Sequence, residues 1–123
     1  MKPTILGHLD LITKHNGTGY FFDEDHPRYK RAALEALHAA DPAVTLLEIN
    51  TGGMARGYRD VPYPALFLLK EWRVMGGRII LTADAHNADK VVWGYEDAAA
   101  LAKAAGFEKA SILTRSGEKE CRI

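Results

Sequence analysis

Three pairs of residues in this 123-residue chain carry side chains that can hold a metal or move a proton: His8 with Asp10, Glu48 with Asn50, and Asp84 with His86. Members of each pair stand two apart, so on extended backbone they face the same side. Imidazole and carboxylate together suit a divalent transition ion such as zinc, manganese or iron, and such an ion lowers the pKa of the water it binds. Arg56 and Arg59, in the loop after Glu48, supply planar cationic forks for a phosphate, and Lys14 adds a point charge shortly after His8. Taken singly, an Asp, Asn or His at a strand end also reads as a turn or cap. Glu48 is harder to read that way, because it interrupts an apolar run and a buried carboxylate is costly unless it is paired.

These side chains act together only if the elements carrying them end at one place. Thr4 to Leu6 is a short apolar piece, Val44 to Ile49 a nearly continuous apolar strand, Ile79 to Leu81 a third, and Ala110 to Thr114 a fourth. Between them lie three helical stripes. Pro27 opens the first, with Asp25 as its capping acid, and Tyr29, Ala32, Ala33, Ala36, Leu37 and Ala40 follow before Asp41-Pro42 stops it. Pro62 or Pro64 opens the second, whose stripe is Ala65, Leu66, Leu69, Trp72 and Met75, closed by Gly76-Gly77. The third turns Ala98, Leu101, Ala102 and Ala105 inward and stops at Gly106. Residues 16–25 read as a loop, as does Asn50-Thr51-Gly52-Gly53, and the tail after Ser116 is polar. The order β-α-β-α-β-α-β predicts an α/β domain with a parallel sheet covered by helices. The carboxyl ends of parallel strands share one edge, where ligands bind, and all three pairs belong there.

Composition narrows the partners. Lys plus Arg and Asp plus Glu both number 16, so the net charge is zero and no basic footprint for nucleic acid is present. The single Cys121 excludes an internal disulfide and suits a reducing compartment. No apolar run reaches the ~20 residues of a membrane span and no signal peptide opens the chain, so a cytoplasmic location with no membrane partner is expected. Residues 1–123 form one domain by length. Trp72 and Trp93 read as packing residues, and His15, His26 and His38 as loop and exposed-helix residues.

Four motifs then occur in order: Gly7-His8-Leu9-Asp10-Leu11-Ile12, Leu47-Glu48-Ile49-Asn50-Thr51-Gly52, Arg56-Gly57-Tyr58 with Pro62-Tyr63-Pro64, and Leu81-Thr82-Ala83-Asp84-Ala85-His86. Together they resemble the carboxyl-terminal half of PHP-superfamily metal-dependent phosphatases, most closely the histidinol-phosphatases of histidine biosynthesis. The resemblance implies about half of a distorted seven-stranded β/α barrel. It implies that His8, Asp84 and His86 match metal ligands, that Arg56 matches a phosphate-binding loop with Lys14 nearby, and that Asp10, Glu48 and Asn50 lie behind the ligands and orient them. The implied reaction is hydrolysis of a small phosphate ester, histidinol phosphate in the nearest relatives, with a divalent metal as cofactor.

The chain departs from that pattern in having no His-x-His pair, which opens the metal site in such enzymes. The expectation is a fragment with little or no phosphatase activity by itself. Half a barrel would also leave strand edges and an inner face uncovered, for which a homodimer is the natural cover. An open four-stranded sheet with helices on both faces is the monomeric alternative. A non-catalytic metal-binding or interaction module derived from the same fold is the alternative function. A piece of the PHP domain attached to bacterial DNA polymerases is a third, disfavoured by the zero net charge and by Asn50-Thr51-Gly52.

Overall fold

A computed structural model of the chain describes residues 2–123 and shows a mixed α/β architecture. Strands β1 (Ile5–Leu6), β2 (Leu46–Asn50), β3 (Arg78–Thr82) and β4 (Lys109–Thr114) are parallel, and β5 (Gly117–Arg122) runs antiparallel to β4 at the edge. Helix α1 (Pro27–His38) joins β1 to β2, the short α2 (Gly52–Ala55) and α3 (Leu66–Val74) join β2 to β3, and α4 (Tyr95–Ala104) joins β3 to β4.

The sheet order is β1-β2-β3-β4-β5, so each crossover steps the same way along the sheet. Right-handed crossovers that never reverse direction put their helices on one face. The packing agrees: α1 touches α3, α3 touches α4, and α4 lies on β2 and β3. One apolar cluster joins Leu37 of α1, Leu68, Leu69 and Trp72 of α3, and Ala98 and Ala102 of α4 to the alternate strand residues Leu47, Ile49, Ile79 and Ala110. The residues between them, Leu46, Glu48, Ile80 and Ser111, lie outside this cluster and belong to the opposite face of the sheet. That face is mixed in character, with Glu48, Thr82 and Ser111 among its aliphatic side chains. The sheet has a fifth strand, β5, beyond the four expected from sequence for either the half barrel or the open-sheet alternative.

Trp72 is fully buried and donates its indole N–H to the Arg78 carbonyl at 2.9 Å. A Cβ on Gly77 would stand 2.3 Å from that indole nitrogen, so the glycine closing α3 is required by the close approach of the ring. The helix boundaries follow the stripes closely, with two local differences. At α1 the capping acceptor is His26 Nδ1, 3.1 Å from the Arg28 amide, while Asp25 pairs with Lys30. Gly52-Gly53, expected as a loop, begins α2.

The larger correction is the carboxyl-terminal tail. It pairs with β4 along a ladder from Lys109–Arg122 to Thr114–Gly117, and Cys121 lies in that strand with its thiol 3.5 Å from the Ala110 carbonyl. Beside this hairpin the parallel sheet is thinly joined: β3 and β4 pair at Ile80–Ser111. Past that bridge the strands diverge around a cavity of about 480 Å³ lined by Leu81, Tyr95, Ile112, Leu113 and Cys121. No helix among the described residues is long and apolar enough to cross a membrane.

Candidate metal and anion site

At the carboxyl edge of β1, β2 and β3 the chain leaves each strand abruptly. His8 and Asp84 both adopt left-handed backbone, with φ of 56° and 45°. Non-glycine residues hold that conformation at a cost, and it persists only where surrounding structure fixes it. For His8 the fixing group is Glu48, whose Oε2 accepts the His8 amide N–H at 2.7 Å while Oε1 accepts the Thr82 hydroxyl at 2.7 Å. Glu48 is nearly buried, and these two donors compensate its carboxylate. The same Oε2 lies 3.6 Å from His8 Nδ1.

The other ring nitrogen, His8 Nε2, is 3.6 Å from Asp84 Oδ2. At that separation the two groups form an ion pair when the imidazole is protonated. Arg56 holds the same carboxylate oxygen of Asp84. Arg56 Nη2 donates to Asp84 Oδ2 at 2.7 Å, Nη1 reaches the Asp84 carbonyl at 3.2 Å, and Nη1 lies 2.8 Å from His86 Nδ1. His86 Nδ1 is itself 2.9 Å from the Asp84 carbonyl. Partial burial alone would raise the Asp84 carboxyl pKa, but the Arg56 hydrogen bond and charge, with His8 and His86 beside it, hold it below its ordinary value.

His8, Lys14, Arg56, Asp84 and His86 thus line one open cavity of about 370 Å³, together with Leu11 and Tyr58. Lys14 Nζ sits 4.6 Å over the Tyr58 ring. Gly52 lets the Arg56 loop approach Asp84: a Cβ there would lie 2.8 Å from Asp84 Cβ and 2.9 Å from Arg56 Nη2. Among the described residues no three His, Cys, Asp or Glu side chains already converge as a ready ion site. His8 and Asp84 are the two donors that approach each other, and both Asp84 and the third candidate, His86, are engaged with Arg56.

The remaining candidates lie behind or beside the cavity. Asn50 is buried, and its Oδ1 accepts the Gly52 amide at 2.8 Å, which shapes the backbone of the Arg56 loop; its Nδ2 has no partner among the described residues. Asp10 faces the helices: Oδ1 accepts from the Tyr29 hydroxyl at 2.6 Å and Oδ2 from the Ala65 amide at 3.1 Å. It therefore ties the end of β1 to α1 and α3. Burial pushes the Asp10 carboxyl pKa up, against the lowering effect of these two hydrogen bonds, and burial with the Asp10 contact pushes the Tyr29 hydroxyl well above its usual value. Arg59, expected to help grip phosphate, is spent elsewhere: it forks onto Glu24 at 2.8 and 3.1 Å and donates to the Thr13 carbonyl.

Sequence reasoning placed Tyr29 in the stripe of the first helix and gave neither it nor Thr82 or Tyr58 a part in the site. Thr82 had a signal, since it stands two before Asp84 and in register with Asn50; Tyr29 had none, being 19 residues from the acid it binds. The chain matches no family model and no curated protein.

Proposed function

We propose that this chain is part of a PHP-type β/α barrel whose rim binds one divalent ion and a small phosphate ester, with little or no turnover by itself. The observation that carries the proposal is the convergence of His8, Lys14, Arg56, Asp84 and His86 on one cavity at the carboxyl edge of parallel strands, with His8 and Asp84 held in left-handed backbone. The unreversed strand order with helices on one face supports a barrel segment, since a doubly wound sheet reverses its order.

His8, Asp84 and His86 would hold the ion, which when bound supplies Lewis-acid polarisation of a phosphoryl oxygen. The chain's own residues do the rest. Lys14 and Arg56 offer cations to the phosphoryl oxygens, and Glu48 fixes the His8 backbone so that its ring faces the cavity. Low turnover is the expectation where the His-x-His pair of the resembled enzymes is missing from the sequence.

The test is a phosphatase assay with histidinol phosphate and an aryl phosphate in the presence of Zn²⁺ or Mn²⁺, alongside dialysis to measure retained metal. Retained metal that is lost in His86→Ala supports the proposal; equal metal content and equal rates in both proteins refute it. A non-catalytic anion-binding module is the second reading, favoured by the guanidinium that already spans Asp84 and His86. A homodimer covering the open sheet face belongs to the barrel proposal, and sedimentation as a monomer at micromolar protein would count against it.

A further inference from the structure

Strand β5 forms one side of the sheet and pairs with β4 alone. The Ile123 amide bonds the Glu108 carbonyl on the β4 side. Backbone groups alternate sides along a strand, so Lys119 and Cys121 also turn theirs toward β4, while Glu118, Glu120 and Arg122 present theirs outward. Such an edge is a template for another strand unless its side chains forbid one. Charge decides what it can accept. A run of lysines would repel every copy of itself, but this edge reads Glu118, Lys119, Glu120, Cys121, Arg122. Two copies that meet antiparallel about a two-fold axis normal to the sheet keep their faces matched, so the axis passes through a residue position.

Of the positions from Glu118 to Arg122, four set like charges against each other. Centred on Glu118, Glu120 or Arg122, that residue faces its own copy; centred on Lys119, Lys119 faces itself and Glu118 faces Glu120. Centred on Cys121, each Glu120 stands opposite Arg122 of the second copy, Cys121 faces Cys121, and no like charges are opposed. The outward backbone groups of Glu120 and Arg122 then exchange their hydrogen bonds on both sides of the axis. Arg122 makes no ion pair among the described residues, and Glu120, 3.1 Å from Lys109, gains a second cation. We propose that a second copy of this chain pairs along β5, antiparallel and centred on Cys121, joining two five-stranded sheets into one. The contact extends the sheet and does not rest on the metal or phosphate reading.

Sedimentation of the full chain over a concentration series under reducing conditions measures association, and oxidation by diamide followed by non-reducing electrophoresis reads the register. Directly opposed residues of a non-hydrogen-bonded pair have Cα atoms about 4.5 Å apart, within the span of a disulfide. Wild type should dimerise and form a covalent dimer through Cys121. Arg122→Glu sets two acids against each other at both pairs, and should weaken association about tenfold and lose the cross-link. Glu120→Arg combined with Arg122→Glu exchanges the two charges and should restore both; it also controls for damage to the fold, since Lys109 stands opposite position 122. A wild type that stays monomeric at the highest concentration overturns the proposal, as does a dimer indifferent to Arg122→Glu or one that the exchanged pair fails to restore. A charge-sensitive dimer whose thiols do not cross-link overturns the register centred on Cys121.

Discussion

Replacing Glu48 separates its charge from its geometry. In the wild type its two oxygens accept one hydrogen bond each at 2.7 Å, from the His8 amide and the Thr82 hydroxyl. The amide can only donate, but the hydroxyl can turn and accept. Glu48→Gln therefore keeps both contacts, with the carbonyl oxygen on His8 and the new amide donating to Thr82. What is lost is charge assistance, worth about 1 kcal/mol across the pair. Glu48→Ala loses both bonds and leaves His8, strained at φ 56°, with nothing to hold its amide; the cost is about 3 kcal/mol. With roughly 2.1 cal/mol/K of unfolding entropy per residue, a 123-residue chain shifts its melting temperature by about 4 °C per kcal/mol. Thermal melts at neutral pH should thus show falls of about 4 °C for Gln and about 12 °C for Ala. Adding Thr82→Val to Glu48→Gln should strand the amide and bring the double variant close to Ala. A Gln variant as unstable as Ala would show that charge attraction to the His8 ring, not paired acceptors, is what Glu48 provides.

Two further expectations concern the same rim. The Asp84 carboxyl titrates below its ordinary value of 3.8. Its contribution is therefore complete above that pH and lost as pH falls through the folded-state value. The stability difference between wild type and Arg56→Met, at most about 1 kcal/mol for so accessible a pair, should be constant near neutrality and shrink below pH ~4 in denaturant titrations. A difference that grows in acid contradicts the assignment. Gly52→Ala should cost about 1–3 kcal/mol in the same assay, since its methyl overlaps Asp84 Cβ at 2.8 Å; a neutral substitution would mean that the Arg56 loop is not seated against Asp84.

The fold was legible where burial imposed a period. Helices α1, α3 and α4 announce themselves through apolar stripes, and β2 through an apolar run broken by one acid. Strand β5 has no such signature: Glu118, Lys119, Glu120 and Arg122 read as a polar tail. Its pairing depends on partners elsewhere in the chain, with Arg78 bound to Glu118 and Lys109 to Glu120. At the site, period-2 spacing pointed to the right strand ends, but a pair's spacing cannot say which way each side chain turns once the strand stops. His8 and Asp84 turn into the cavity, whereas Asp10, two residues past His8, turns back toward Tyr29 and Ala65. Arg59 was equally ambiguous with Arg56 until Glu24 claimed it.

The single bridge between β3 and β4 has a consequence for how the molecule breathes. The β4–β5 hairpin satisfies its own ladder and is joined to β3 by one backbone bridge, Ile80–Ser111, and the Arg78–Glu118 ion pair, so it forms a natural sub-global opening unit. Its amides should exchange with solvent at a lower free energy than those of β2, which is paired on both sides. Each such excursion bares the outer margin of β3 while leaving the Glu48–His8 anchor untouched on the opposite flank.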